Sequence, residues 1–163
     1  MAASLHVAVV GAGDAGAELA AAAEEVGRGL AQNGAVLVCG GLGGVMEAAC
    51  RGAKSAGGLT VGILPGRRRQ DANRWVDVAV PTGMGETRNA LVVLGADAVV
   101  AVGGEHGTLS EVAFGLKLGR PVVGLGTWRL IRGDGRVDDS IVPADDPQAA
   151  VAAALALVAE GRD

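Results

Sequence analysis

The chain has 163 residues, half of them apolar but only 2% aromatic, and a formal net charge of −4. That size fits one domain with one core, built here from Ala, Val, Leu and Ile. Acidity without a basic stripe excludes a binder of phosphate backbones, and no uninterrupted apolar stretch is long enough for a bilayer, so neither nucleic acid nor a membrane is an expected partner.

Leu5–Val10 (LHVAVV) reads as a first strand, and Asp14 to Asn33 as a helix with Leu19, Ala23, Val26 and Leu30 at spacings of three and four. Gly34 stops that helix. Val36–Cys39 is a second strand, followed by a glycine turn and a helix from Val45 to Ala56. Leu59–Leu64 is a third strand closed by Pro65-Gly66, and Arg67–Arg74 is a polar loop. Val76–Val80 reads as a strand, Glu86 to Leu94 as a helix and Ala98–Val102 as a strand. Leu109 to Leu118 follows as a helix, Pro121–Leu125 as a strand and Ile141-Val142 as a last short strand. Asp146 is a fitting N-cap for a final helix from Pro147 to Glu160.

Runs such as VLVC, VGIL and AVVAV lack alternation, which predicts strands buried on both faces. The expected fold is therefore α/β: a Rossmann-like, doubly wound, mainly parallel sheet with helices on both faces, in a single domain spanning 1–163. Ligands of such sheets lie outside the carboxyl ends of the strands. Cys39 and Cys50 form no CxxC and no metal-ligand spacing with His6 or His106. That predicts reduced thiols, a cytoplasmic protein and no metal site. The N-terminal residues carry no signal-peptide pattern.

Glycine makes up 28 of the 163 residues and gathers in three groups at strand ends. Gly11-Ala-Gly13-Asp-Ala-Gly16 matches GxGxxG, which on its own points to NAD(P). The second strand, however, ends in Cys39-Gly40-Gly41 where the ribose-binding acid belongs, so this group reads as a tight turn lining the pocket. Gly41, Gly43 and Gly44 in the second group clear side chains away from backbone N–H groups. The third group runs from Gly103 to Glu111. Gly103, Gly104 and Gly107 bracket a turn, and Thr108 opens a helix whose first N–H groups suit a phosphate without any basic side chain. Thr108-Leu-Ser-Glu111 also fits a capping box, in which Glu111 only returns a hydrogen bond to the cap. Spacing leaves both readings of Glu111 open. His106 reads as a turn residue, and Arg67-Arg68-Arg69 as a solvated loop with an anion-attracting alternative.

Taken in order, GGLGGVMEAACRGA, VGILPG, PTGMGETRN and GGEHGTLSEVAFGLKLGRPVVGL cover most of the chain. They resemble the lonely-guy (LOG) superfamily, closest to its branch related to the molybdenum cofactor carrier protein. The superfamily's hydrolases cleave the N-glycosidic bond of nucleoside 5′-monophosphates, with a PGGxGTxxE turn and an upstream Arg usually followed by Lys. The resemblance implies Arg88 and Glu111 as a catalytic pair. It implies a ligand set of Gly11, Gly13, Gly41, Gly43, Gly44, Met84, Gly103, Gly104, Gly107 and Thr108. Val102 stands where the hydrolases carry Pro, and Asn89 where they carry Lys. Both belong with the carrier-like branch, whose members imply a non-catalytic binder of molybdenum cofactor or a related pterin phosphate. No cofactor is required for either activity, and the bound species is a molybdenum cofactor or a nucleotide monophosphate. A homo-oligomer, dimer or tetramer, is a further implication. An NAD(P) oxidoreductase is the third reading. Lysine decarboxylation is discounted, because neither Lys54 nor Lys117 sits in an evident PLP site.

Overall fold

Valine-rich runs without polar alternation fold as the middle of a sheet, and the computed structural model, which describes residues 4–161, shows this. Its elements are β1 (His6–Gly11), α1 (Ala17–Gln32), β2 (Val36–Cys39), α2 (Val45–Ser55), β3 (Thr60–Leu64), β4 (Val78–Pro81), α3 (Asn89–Leu94) and β5 (Ala98–Val102). The chain continues through α4 (His106–Lys117), β6 (Val122–Leu125), β7 (Leu130–Ile131), β8 (Val137–Asp138), β9 (Ile141–Ala144) and α5 (Pro147–Glu160). Seven strands pair in parallel in the order β4-β3-β2-β1-β5-β6-β9, and β7 and β8 form a separate antiparallel ribbon. The chain winds outward from β1 in one direction and from β5 in the other. The switch point, with its crevice at the carboxyl ends, therefore falls between β1 and β5.

Each central strand sends alternate side chains into two cores. Val7 and Val9 of β1 meet α1, α2 and α5, while Ala8 and Val10 meet α3 and α4. On the first face, α1 and α2 pack backbone to backbone. A Cβ on Gly27 would land in the carbonyl of Ala49, and one on Gly52 in the carbonyl of Glu24. Asp146 caps α5, its Oδ1 accepting the Ala149 N–H at 2.7 Å.

Three expectations need correction. β3 is not buried on both faces: Val61 and Ile63 are half-buried, and their β4 neighbours Val78 and Val80 are exposed. Among the described residues no helix covers that face of β3 and β4, and a Val-rich run reads the same whether or not one does. The first helix starts at Ala17, not Asp14, because Gly16 stays extended as its N-cap. The stretch between β6 and β9 holds the β7–β8 ribbon, and β9 runs on to Ala144 through Pro143, which an edge strand tolerates.

Candidate binding site

The third glycine turn builds the site. Gly103 (φ 56°) and Gly104 (φ 108°) take left-handed backbone that other residues avoid, and they swing the chain from β5 directly into α4. The helix consequently begins at His106, three residues before Leu109, with Glu105 at its N-cap and no side-chain cap. Thr108 lies within the first turn, so the capping box to Glu111 does not form. The first intrahelical bond runs from the Leu109 N–H to the Glu105 carbonyl at 2.9 Å. The N–H groups of His106, Gly107 and Thr108 therefore lie ahead of the helical ladder, at the positive end of the helix dipole.

This turn forms one wall of a cleft of about 240 Å³ at the β1/β5 switch point. Of the residues expected in a site, Gly11, Gly13, Arg88, Gly107, Thr108 and Glu111 border it, joined by Met46 and Asn89. Gly13 and Gly107 face open space, since a Cβ on either would meet nothing within 4 Å. Gly11 and Gly44 are required by packing. A Cβ on Gly11 would strike the Val102 carbonyl and the Val45 side chain, and one on Gly44 (φ 64°) the Ala12 carbonyl. That same carbonyl accepts the Val45 N–H at 2.9 Å, stitching the first two glycine turns together. Gly41 and Gly43 lie behind the lining; the Gly41 N–H is spent on the Cys39 sulfur at 3.3 Å. Gly103 and Gly104 shape the turn without bordering the cleft. Met84 sits 47% exposed at the start of a 3-10 turn over Gly85–Arg88, outside the lining.

Arg88, only 5% exposed, is held by the backbone. Its Nε donates to the Ile63 carbonyl at 2.7 Å and one Nη to the Gly40 carbonyl at 3.2 Å. The other Nη donates to the Asn89 side-chain oxygen. Asn89 then passes the connection on: its Nδ2 donates to Ser110 Oγ at 2.9 Å, and Ser110 Oγ to the Gly107 carbonyl at 2.6 Å. A chain of hydrogen bonds thus joins the ends of β2 and β3 to the first turn of α4. Asn89, which the resemblance marked only as a departure from Lys, is the link between Arg88 and Ser110.

Glu111 lies one turn further into α4, 7% exposed and bordering the cleft. Its carboxyl has no hydrogen-bond or ion-pair partner among the described residues; Arg88 is close enough to act through its charge but forms no ion pair with it. Burial pushes the carboxyl up to about 8, against the pull of Arg88 and with a smaller push from Glu86. At neutral pH the group is therefore mostly protonated, able to donate as well as accept a hydrogen bond.

Two residues that sequence reasoning left unassigned hang on the same turn. Thr127 Oγ1 donates to the Gly103 carbonyl at 2.5 Å, and Trp128 Nε1 to the Glu105 carbonyl at 3.2 Å. The one available signal was a Trp in a chain with three aromatics. Arg67, Arg68 and Arg69 are exposed and outside the cleft, with Arg68 paired to Asp71 at 2.7 Å. Among the described residues no group of His, Cys, Asp or Glu is placed to hold a metal, and no helix is long and apolar enough to cross a membrane.

Known proteins share this fold. Residues 4–151 match the SLOG cluster4 family. An uncharacterized protein of Archaeoglobus fulgidus is 46% identical over 121 residues, 74% of this chain and 80% of the relative. The molybdenum cofactor binding protein of the phototrophic bacterium Rippkaea orientalis superimposes with a TM-score of 0.85 at 33% identity, covering 97% of this chain and 99% of that one. The molybdenum cofactor carrier protein of Chlamydomonas reinhardtii does so with a TM-score of 0.83 at 34% identity, over 97% and 99% of the two chains.

Proposed function

The chain belongs to the SLOG cluster4 family, and from that premise we propose that it binds a phosphorylated pterin- or nucleotide-like ligand, a class that includes molybdenum cofactor, without turning it over. The carrying observation is Glu111, a buried carboxyl with no partner in the cleft beside the free N–H groups of α4. A phosphate on those N–H groups needs no cation. A Glu111 carboxyl raised by burial offers the ligand a hydrogen bond. The Arg88 donors that would fork onto a substrate are largely spent on carbonyls. The Rippkaea orientalis and Chlamydomonas reinhardtii proteins, described as binding or carrying molybdenum cofactor, support the same ligand class.

Mass spectrometry of the gently purified protein, together with calorimetric titration of GMP and AMP, tests this. Expected are ligand binding and no release of free base. Failure of every such ligand to bind at high micromolar concentration sinks the proposal. Hydrolysis of a nucleoside 5′-monophosphate is the second reading, favoured by Arg88 and Glu111 sharing one cleft. Base release that rises as pH passes about 8, where Glu111 ionises, and is lost in Glu111→Gln would establish it. A homo-oligomer belongs to the same proposal: Val78 and Val80 stand exposed beside Val61 and Ile63 on a sheet face without a helix. Parallel strands are ordinarily covered on both faces. Sedimentation velocity, with a single monomer peak as the contrary result, decides it.

A further inference from the structure

Another cavity, of about 480 Å³, is lined by the β7–β8 ribbon and by residues of β6 and β9. It lies on the α3/α4 face of the sheet, because Ile141 in its lining packs against the core of that face. Small-molecule sites span about 300–1,000 Å³, so the 240 Å³ cleft at Arg88 and Glu111 is small for a whole nucleotide, whereas this cavity falls inside the range. Trp128, Leu130, Val137, Ile141 and Pro143 give it apolar walls, and Arg129, Asp138 and the exposed Asp139 add charged groups.

The cavity and the phosphate turn are mechanically one unit. Thr127 and Trp128 donate to the Gly103 and Glu105 carbonyls, and the Trp128 ring meets His106, the first residue of α4, with centroids 5.6 Å apart. Trp128 therefore both lines this cavity and lies against the first residue of α4. The chain's other Trp, Trp75, packs against the core.

We propose that this cavity, walled by Trp128, receives the flat heterocycle of the ligand, and that Asp139 selects rings with an amino–lactam edge, 2-amino-4-oxo in pterins and 2-amino-6-oxo in guanines. The proposal rests on the anion-binding role of α4 given above. Trp128 supplies a face on which a ring stacks. That edge presents two adjacent N–H donors, the ring N–H and the 2-amino group, which one carboxylate accepts together. Asp138 is already committed to the Ser140 N–H at 3.0 Å and to Arg132 at 2.9 Å. Asp139, an exposed lining residue with no such partner among the described residues, is the carboxylate open to that edge.

Calorimetry of the full chain with GMP, AMP, guanosine and ribose 5-phosphate tests the assignment. GMP is expected to bind about tenfold more tightly than ribose 5-phosphate, the gain a single stacked base gives. Trp128→Ala should collapse that ratio, Trp128→Phe should keep most of it, and Asp139→Asn should bring GMP down to AMP. Unchanged GMP-to-ribose-5-phosphate and GMP-to-AMP ratios in both Trp128→Ala and Asp139→Asn, each with wild-type circular dichroism, would overturn the proposal and leave the phosphate site standing. Guanosine binding as tightly as GMP through Trp128, with no affinity for ribose 5-phosphate, would keep the ring site and remove the anion reading instead. Binding of none of the four removes both.

Discussion

The two faces of the sheet are built to different standards. On one, α1 and α2 approach until glycine alone fits at their crossing, with Gly27 against Ala49 and Gly52 against Glu24. Glu24 adds ion pairs to Arg28 at 3.3 Å and Arg51 at 2.8 Å along the rim. On the other face, α3 has only six residues, and β3 and β4 lie beyond any helical cover. The Arg88–Glu111 cleft opens between the two, taking Gly11, Gly13 and Met46 from the sealed side and Arg88, Asn89 and Glu111 from the sparse one. The sealed side supplies a rigid wall of turns, and the sparse side supplies the polar side chains.

Substitutions at the sealed crossing should have the largest effect. Gly27→Leu forces the helices apart, and a loss of about 3 kcal/mol, or failure to fold, is expected in urea titration, since overpacking a tight contact costs of this order. A loss under about 1 kcal/mol would show that the crossing is looser than its geometry indicates. On the open face, Arg88→Ala strands the buried carbonyls of Gly40 and Ile63, for which roughly 1–3 kcal/mol is expected. A wild-type melting temperature in that variant would show that water replaces the guanidinium without cost.

Glu111 sharpens the contrast through pH. Its carboxyl holds a proton in the folded state up to about 8 but loses it near 4.5 when unfolded. Between those values the folded state binds more protons, so stability falls as pH rises, by up to about 1.4 kcal/mol per pH unit. Above about 8 the dependence flattens. Glu111→Gln removes this slope, and denaturation curves at pH 5, 6.5 and 8 check it; parallel slopes in the two proteins would count against the buried, protonated carboxyl. The smallest effect is expected from Val78→Ser, below about 0.5 kcal/mol in the dilute monomer, where the side chain is already in water. A larger loss that grows with protein concentration would mean that a second chain covers this face.

What the sequence disclosed follows from how local each signal is. The glycine turns and the Val runs of β1, β2 and β5 carry their own backbone chemistry, and they pointed directly to the carboxyl ends of the strands; which pair of strands forms the switch point waited on the strand order. The α4 start was misplaced because Thr108 imitates a cap, whereas Gly103 and Gly104 had already turned the chain. Arg88 was legible as a site residue only through family resemblance, since its partners Ile63 and Gly40 lie 25 and 48 residues away. The β7–β8 ribbon offered one cue, Asp134-Gly135 with Gly135 at φ 84°. Strands of two residues on either side are too short to show a period. The missing cover over β3 and β4 left no trace at all, because apolar residues do not record what lies above them.

The pairing of β1 with β5 sets a schedule for synthesis. Val7 sits opposite Ala98, so the strand made first waits 91 residues for its second neighbour. At ribosomal rates of 5–20 residues per second that wait is on the order of 5–20 s. Glu111 emerges later still, and Trp128 after it. The growing chain can assemble β1, β2, α1 and α2 as an early unit, but the ligand pocket comes into being only when the second half of the sheet docks. A bound ligand can therefore stabilise the finished protein, yet it cannot guide the first half of its folding.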